Sequence, residues 1–217
     1  MVHLNIADFA VAVERQGDPR LKDYPVIIAP ENAARTVVYD MSDEAFRAGV
    51  RKEMPLTRAI RRCRDAIIVP PHPDRYEQAM HDLLRHVLPY SPLVEPGEAD
   101  GHVFVDTGTS RLFGPSVDVA WRMYREIKKN LGFTPIWSVS PNKLVAKVAS
   151  RLVKPTGEYI VGDGEVSDFL APLPIFLIPG IEKNDWHRLK ELNMDHVYHV
   201  AALTRNQLVR ETGRIHS

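Results

Sequence analysis

Apolar and other residues alternate over Val2-His3-Leu4-Asn5-Ile6-Ala7, the two-residue period of a strand with one face buried. Phe9 to Glu14 then reads as the opening of a helix. Pro25-Val26-Ile27-Ile28-Ala29 is a short apolar run bounded by proline and a polar pair, which predicts a buried strand. Thr36-Val37-Val38-Tyr39 predicts a further strand. Ser42-Asp43-Glu44 has the composition of a helix start and Gly49 that of its stop. A helix over about 55–64 leads into a strand, Ala66-Ile67-Ile68-Val69, closed by Pro70-Pro71.

From Pro73 to Val87 the spacing of Tyr76, Met80, Leu83, Leu84 and Val87 is helical. His102-Val103-Phe104-Val105-Asp106 predicts a strand, and Val117 to Leu131 a long helix with Val119, Met123 and Ile127 on one face. A strand over Pro135 to Ser140, a helix from Asn142 to Leu152 and a strand at Tyr159-Ile160-Val161 complete this part. After residue 165 the pattern becomes short helices broken by Pro172, Pro174, Pro179 and Gly180. The expectation is an α+β body to about residue 165 and a small helical domain after it.

Composition narrows the function. The 217 residues carry 28 basic and 28 acidic side chains, so a globally basic DNA coater is excluded and any nucleic-acid contact is local. A single cysteine, Cys63, makes neither an internal disulfide nor a cysteine-rich zinc site, which fits a reducing compartment. No apolar run approaches the roughly 20 residues of a membrane span. Asp8 and Glu14 interrupt the N-terminal apolar stretch, unlike a signal peptide. A cytoplasmic protein without a membrane partner is expected.

Several blocks, in order, resemble the Y-family (UmuC/DinB-type) translesion DNA polymerases. His3-Leu4-Asn5 with Phe9 and Val13-Glu14 is similar to the first palm strand and helix. The run 46–51 with Met54-Pro55-Leu56 and Ala59 is similar to the finger segment. Val94-Glu95-Pro96 and Phe104-Val105-Asp106 resemble the second palm strand. Ser138 to Ser150, ending in Lys154-Pro155-Thr156-Gly157, is the strongest block. Phe169 to Pro174 and Ile178-Pro179-Gly180-Ile181 resemble a helix-hairpin-helix thumb. The resemblance implies an α+β polymerase palm over 1–18 and 71–165, an inserted fingers segment over 19–70 and a thumb over 166–217. On the same resemblance the family's little-finger domain is expected to be absent from this chain, which is then either a fragment of a longer protein or a short form with reduced DNA affinity.

The same resemblance implies a two-Mg²⁺ site for nucleotidyl transfer, held by an Asp on the first strand and an Asp-Glu pair before the second. Here the first position is Asn5, and a second Asp of that signature falls on Ala7. Depending on the anchor, the pair falls on Gly101-His102 or on Asp100-Gly101, leaving Asp100 as the surviving candidate metal ligand. The triphosphate-holding Tyr and Arg fall on Asp43 and Phe46, and the sugar-excluding aromatic on Ala10, while the phosphate-contacting lysine is retained as Lys154. This pattern resembles the ImuB-type branch, a polymerase-like adaptor of mutagenic repair needing no cofactor. Its implied partners are primer-template DNA, a sliding clamp and a separate active polymerase. The alternative is an active, Mg²⁺-dependent polymerase in which Asp100, Asp106 or Asp8 replaces missing ligands.

Other features have plainer readings. Arg58, Arg61, Arg62 and Arg64 form a cationic run that reads equally as a solvated face or a template-phosphate contact. Gly180, Lys183 and Arg188 are the thumb's candidate DNA contacts, with Glu182 where a second glycine is usual. His102 reads as a surface or hydrogen-bonded residue, and Asn5 as a polar strand residue satisfied by its neighbours in the absence of the family pattern. His187, His196 and His199 read as a solvated face with no carboxylate partner. Trp121, Trp137 and Trp186 are expected in the core.

Overall fold

The structure is a computed structural model describing residues 1–30, 36–97, 100–108, 113–204 and 206–208. The larger of two sheets contains β1 (Val2–Asn5), β5 (Val94–Pro96), β6 (His102–Val105), β7 (Ile136–Val139) and β8 (Glu158–Ile160), in the order β5-β6-β1-β7-β8. β1 is central and antiparallel to both neighbours, with Asn5 opposite His102 on one side and Ile136 on the other. β8 joins β7 in parallel.

The alternation in β1 decides what each face packs against. Val2 and Leu4 point into the main core with α1 (Phe9–Gly17), α4 (Pro73–Val87) and α5 (Ser116–Leu131). Each helix carries its apolar stripe inward, as with Val119, Met123 and Ile127 on α5. Gly132, at φ 71°, ends α5 in the left-handed region a C-cap favours. The opposite face of β1, carrying His3 and Asn5, is covered by α6 (Lys143–Leu152), whose first turn is capped by Asn142 accepting the Val145 N–H at 3.0 Å. His3 and Asn5 are therefore fully buried although they are the polar half of the pattern.

The smaller sheet has the order β3-β2-β4, from β2 (Val26–Ile28), β3 (Asp40–Met41) and β4 (Ile67–Val69). Ile27 and Ala29 pack in a second core with Met41, Ala45, Val50 and Ala59, supported by α2 (Asp43–Arg47) and α3 (Leu56–Arg62). Val26 and Ile28 face the other way, into the main core. The two cores thus share β2, which couples the small sheet to the large one.

Two expectations are corrected. The strand foreseen at Thr36–Tyr39 pairs instead at Asp40–Met41. Val38 spends its backbone groups on the 53–54 turn, donating to Met54 O and accepting from Glu53 N, so it is withdrawn from the ladder. Trp121 lies on the solvent side of α5, 46% exposed and stacked on Tyr124, because it falls opposite the 119/123/127 stripe. Trp137 is buried as expected.

Beyond β8 the chain forms α7 (Val166–Leu170), α8 (Lys183–Glu191) and α9 (Val197–Ala201). Leu189 is buried there, but Leu192 is exposed. Residues 209–217 of the expected helical domain, residues 31–35 of the expected fingers segment and the Lys183 side chain lie outside the described residues.

Candidate functional site

The β1–α1 turn opens onto a cavity of about 310 Å³ between the two sheets. Asn5, Ile6, Asp8, Phe9 and Ala10 line it from this turn, Tyr39, Asp40 and Lys52 from the small-sheet region, and Asp100, His102 and Lys154 from the opposite wall. Five predicted site residues, Asn5, Ala10, Asp100, His102 and Lys154, are therefore gathered in one place. Gly101 is adjacent through its backbone, its carbonyl accepting the Ile6 N–H at 2.9 Å.

Gly101 has a specific steric reason to be glycine. Its φ is +81°, and a Cβ there would lie 2.8 Å from Phe9 Cβ. Gly101→Ala is expected to lower stability by about 2 kcal/mol, read as a shifted urea midpoint at unchanged slope. A carboxylate at this position meets the same obstruction.

Asn5 is fully buried, and among the described residues neither its Oδ1 nor its Nδ2 has a hydrogen-bond partner. The reading of Asn5 as a satisfied strand residue is corrected by this. Asp40 is also buried, and its role is structural. Its Oδ2 accepts the Ala10 N–H at 3.2 Å, placing a carboxylate at the N-terminus of α1, where Asp8 provides no side-chain cap. The Lys52 ammonium sits 3.0 Å from its other oxygen. Asp8, at φ 49°, is pushed up to about 6 by burial and then by the negative charge of Asp40. Tyr39 reaches Asp100 only at a long 3.5 Å, while its ring stacks on Tyr76. Lys154 is held below the ordinary lysine range, first by desolvation, with Lys52 and Arg151 acting in the same direction.

Behind the cavity wall runs a buried chain, Ser150–His3–His102. Ser150 Oγ donates to Lys147 O at 3.0 Å, so it accepts from His3 Nδ1 at 2.9 Å. His3 Nε2 must then accept, and His102 Nδ1, 3.0 Å away, must donate. The free lone pair of His102 is thereby assigned to Nε2, on the ring edge away from His3. Both rings are neutral at physiological pH. Burial drops His3 to about 3, helped by His102, and burial drops His102 to about 4, helped by Lys154. His102 is half-buried and hydrogen-bonded, as its expected plain reading has it.

The remaining predicted residues are elsewhere. Asp43 is paired with Arg47 at 2.6 Å, and exposed Phe46 lies under the Arg51 guanidinium at 3.9 Å from its ring centre. Neither lines the cavity, although the charge of Asp43 reaches Asp8 at its edge. Asp106 sits at the other end of β6, where its carboxylate accepts the Gly108 N–H at 2.8 Å and faces the Met1 ammonium. It cannot replace a ligand beside Asn5. Arg58, Arg61 and Arg62 are exposed on α3, Arg64 just beyond it, and Arg188 is exposed on α8. Gly180, at φ 88°, sits in the turn before α8. The sequence reading missed Asp40 and Lys52, for which no local pattern gives a signal.

Among the described residues, those lining the cavity do not fit a two-metal centre. Such a centre needs several carboxylate oxygens converging on the ions. Asp40 is engaged by Lys52 and by the α1 N-terminus, Asp8 titrates near 6, Asp100 stands exposed at the rim, and Asn5 offers only a neutral amide. Among the described residues, no three carboxylate or histidine groups of this cavity come within ligand reach of one another.

Comparison with known proteins agrees with this architecture. Residues 4–151 match the impB/mucB/samB family. The chain is 34% identical over 215 residues to DNA polymerase IV of Desulfatibacillum aliphaticivorans, covering 99% of this chain and 54% of that protein. It is 33% identical over 192 residues to DNA polymerase IV of Ralstonia nicotianae, covering 88% and 54%. The chain thus spans about half the length of these curated relatives. The crystal structure of DinB from Sulfolobus solfataricus superposes with a TM-score of 0.89 at 26% identity, over 98% of this chain and 63% of that one. An insertion ternary complex of Dbh DNA polymerase gives the same values. The α+β fold is that of the palm and fingers region, and no described helix is long and apolar enough to cross a membrane. The chain belongs to the impB/mucB/samB family and is a homologue of the Y-family DNA polymerases.

Proposed function

We propose that this chain is a catalytically defective Y-family homologue of the ImuB-like kind, acting as an adaptor in DNA damage tolerance. The observation that carries this reading is Asn5. At the head of the cavity, where the family pattern asks for a metal-binding carboxylate, a fully buried neutral amide stands without a hydrogen-bond partner among the described residues. Ala10, the Arg47-paired Asp43 and the Arg51-covered Phe46 support the same reading for the incoming nucleotide.

In this proposal residues 1–18 and 71–165 act as palm, 19–70 as fingers and 166–217 as thumb. The partners are primer-template DNA, a sliding clamp and a separate active polymerase. Arg58, Arg61 and Arg62, together with Gly180, Lys183 and Arg188, contact DNA phosphates, so binding is sequence-independent and salt-sensitive.

Primer extension with Mg²⁺ or Mn²⁺ tests the reading. The expected result is no templated incorporation, alongside DNA binding that falls with salt and is indifferent to divalent metal. Templated incorporation that disappears in Asp100→Ala or Asp8→Asn would instead establish an active polymerase with relocated ligands, both of which line the cavity. Absence of salt-dependent DNA binding would overturn the adaptor role.

A further inference from the structure

A second group of donors, remote from the cavity in sequence, gathers where the chain enters α9. Asp195 Oδ1 lies 2.7 Å from His196 Nδ1 and 3.4 Å from His199 Nδ1. One ligand atom from each of the three residues falls within 4.8 Å of the others. Two donors each about 2.1 Å from a tetrahedral ion stand about 3.4 Å apart, the present Asp195–His199 separation, while the Asp195–His196 pair opens by about 0.7 Å. The imidazoles of His196 and His199 are already edge-to-face, their centres 5.9 Å apart, with Tyr198 packed against both. The expectation that these histidines lack a carboxylate partner is therefore corrected.

The backbone beneath the group is tied down independently of the side chains. Asp195 O accepts the Ile175 N–H at 2.9 Å, and Val197 N donates to Leu173 O at 2.9 Å. Tyr198 N donates to Ala171 O at 3.1 Å. A bridge between Pro174 and His196 completes the contact. The core of this region is small: among the described residues of 166–204, only Ile175, Asp185 and Leu189 are buried. A helical segment with so small a core is where a bound metal contributes most to stability.

We propose that Asp195, His196 and His199 form a site for a divalent transition-metal ion of the Zn²⁺ type, which staples α9 to the 171–175 segment. Two imidazole nitrogens and one carboxylate oxygen select a borderline ion over Mg²⁺, which prefers oxygen throughout. On binding, each imidazole presents its Nδ1 lone pair and carries its proton on Nε2. The ionised Asp195 supplies the negative charge, and a water or a partner side chain fills the fourth position. The His196 Nδ1–H to Asp195 hydrogen bond of 2.7 Å and the long His196 N–H to His199 Nδ1 contact of 3.4 Å are exchanged for the metal bonds. The site is separate from the cavity and does not depend on whether the chain polymerises DNA.

Isothermal titration of the full chain with Zn²⁺ at pH 7.5 tests the proposal. One ion per chain is expected, with the affinity reduced roughly tenfold or more in His196→Gln, His199→Asn and Asp195→Asn. His81→Gln, on α4, is expected to leave it unchanged. Zn²⁺ should raise the melting temperature of the parent chain and not that of the variants. No saturable Zn²⁺ binding by the parent chain, or parent-like affinity in all three variants, would overturn it. If a variant fails to fold, Co²⁺ loaded on the parent chain decides: intense visible bands of low-coordinate nitrogen–oxygen ligation are expected, and the weak bands of hexahydrated Co²⁺ overturn it.

Discussion

Between pH 7 and pH 5 the chain is expected to lose about 2 to 3 kcal/mol of folding stability. His3 and His102 sit at about 3 and about 4 in the fold against 6.5 for an ordinary histidine. Their folded-state values are depressed, so the unfolded chain binds more protons. The stability they confer is complete above pH 6.5 and drains away as the pH falls toward 4 and 3. Over this window each removes about 1.9 kcal/mol. Asp8 acts with the opposite sign. Its folded-state value of about 6 lies above the 3.8 of an ordinary aspartate, so the folded chain takes up its proton first and regains about 1.3 kcal/mol over the same window.

Urea unfolding across pH, with two variants, separates these contributions. His3→Gln should flatten the acid limb to a loss of about 0.5 kcal/mol, because Asp8 then offsets most of what His102 removes, while lowering stability at pH 7, since a buried hydrogen-bond chain is broken. Asp8→Asn should raise stability at pH 7 and steepen the acid limb to a loss of about 4 kcal/mol, because the opposing group is gone. Asparagine suits the left-handed φ of 49° at this position. A stability independent of pH in this range would refute the neutral His3–His102 pair.

Glu14→Ala is expected to destabilise the chain by about 3 kcal/mol, among the largest effects of any single substitution outside the apolar core. Glu14 is 3% exposed near the end of α1 and gathers three donors from the start of α4. The Tyr76 hydroxyl and His72 Nδ1 both reach its Oε1 at 2.8 Å, and Arg75 Nη1 reaches Oε2 at 3.2 Å. Removing the carboxylate strands the Tyr76 hydroxyl in the core, whereas His72 and Arg75 retain access to water. Tyr76→Phe removes one bond and leaves the other two, so about 1 kcal/mol is expected. Because the Tyr76 ring supports Tyr39, the larger loss should also loosen the cavity wall. Chemical denaturation of both variants, and Tyr39 proton chemical shifts, read the two effects.

Much of the fold follows from local patterning. The 3.6-residue stripe of α4 matches the expected helix at both ends, and the Asn142 cap marks the first turn of α6. Both depend on neighbours within one or two turns, which the sequence displays directly. The failure at Thr36–Tyr39 has the complementary cause. An apolar run fits a strand anywhere, and Val38 was claimed by a turn fifteen residues downstream. Trp121 was misplaced because aromatic character suggested burial when helical phase pointed to solvent.

The candidate site divides in the same way. By itself the sequence determined that residue 5 is an amide, that residue 10 lacks a large ring and that a lysine follows α6 at 154. These are matters of covalent identity and order. Only the tertiary structure decided that the polar side of β1 is buried under α6. There His3 is joined to Ser150, 147 positions away, and to His102, 99 positions away. Only it revealed that Asp40 caps α1 and is neutralised by Lys52. The physical reason is that period-two alternation specifies which residues share a face and says nothing about what covers that face. Protonation and ion pairing are then set by the dielectric and the charges that long-range packing brings together.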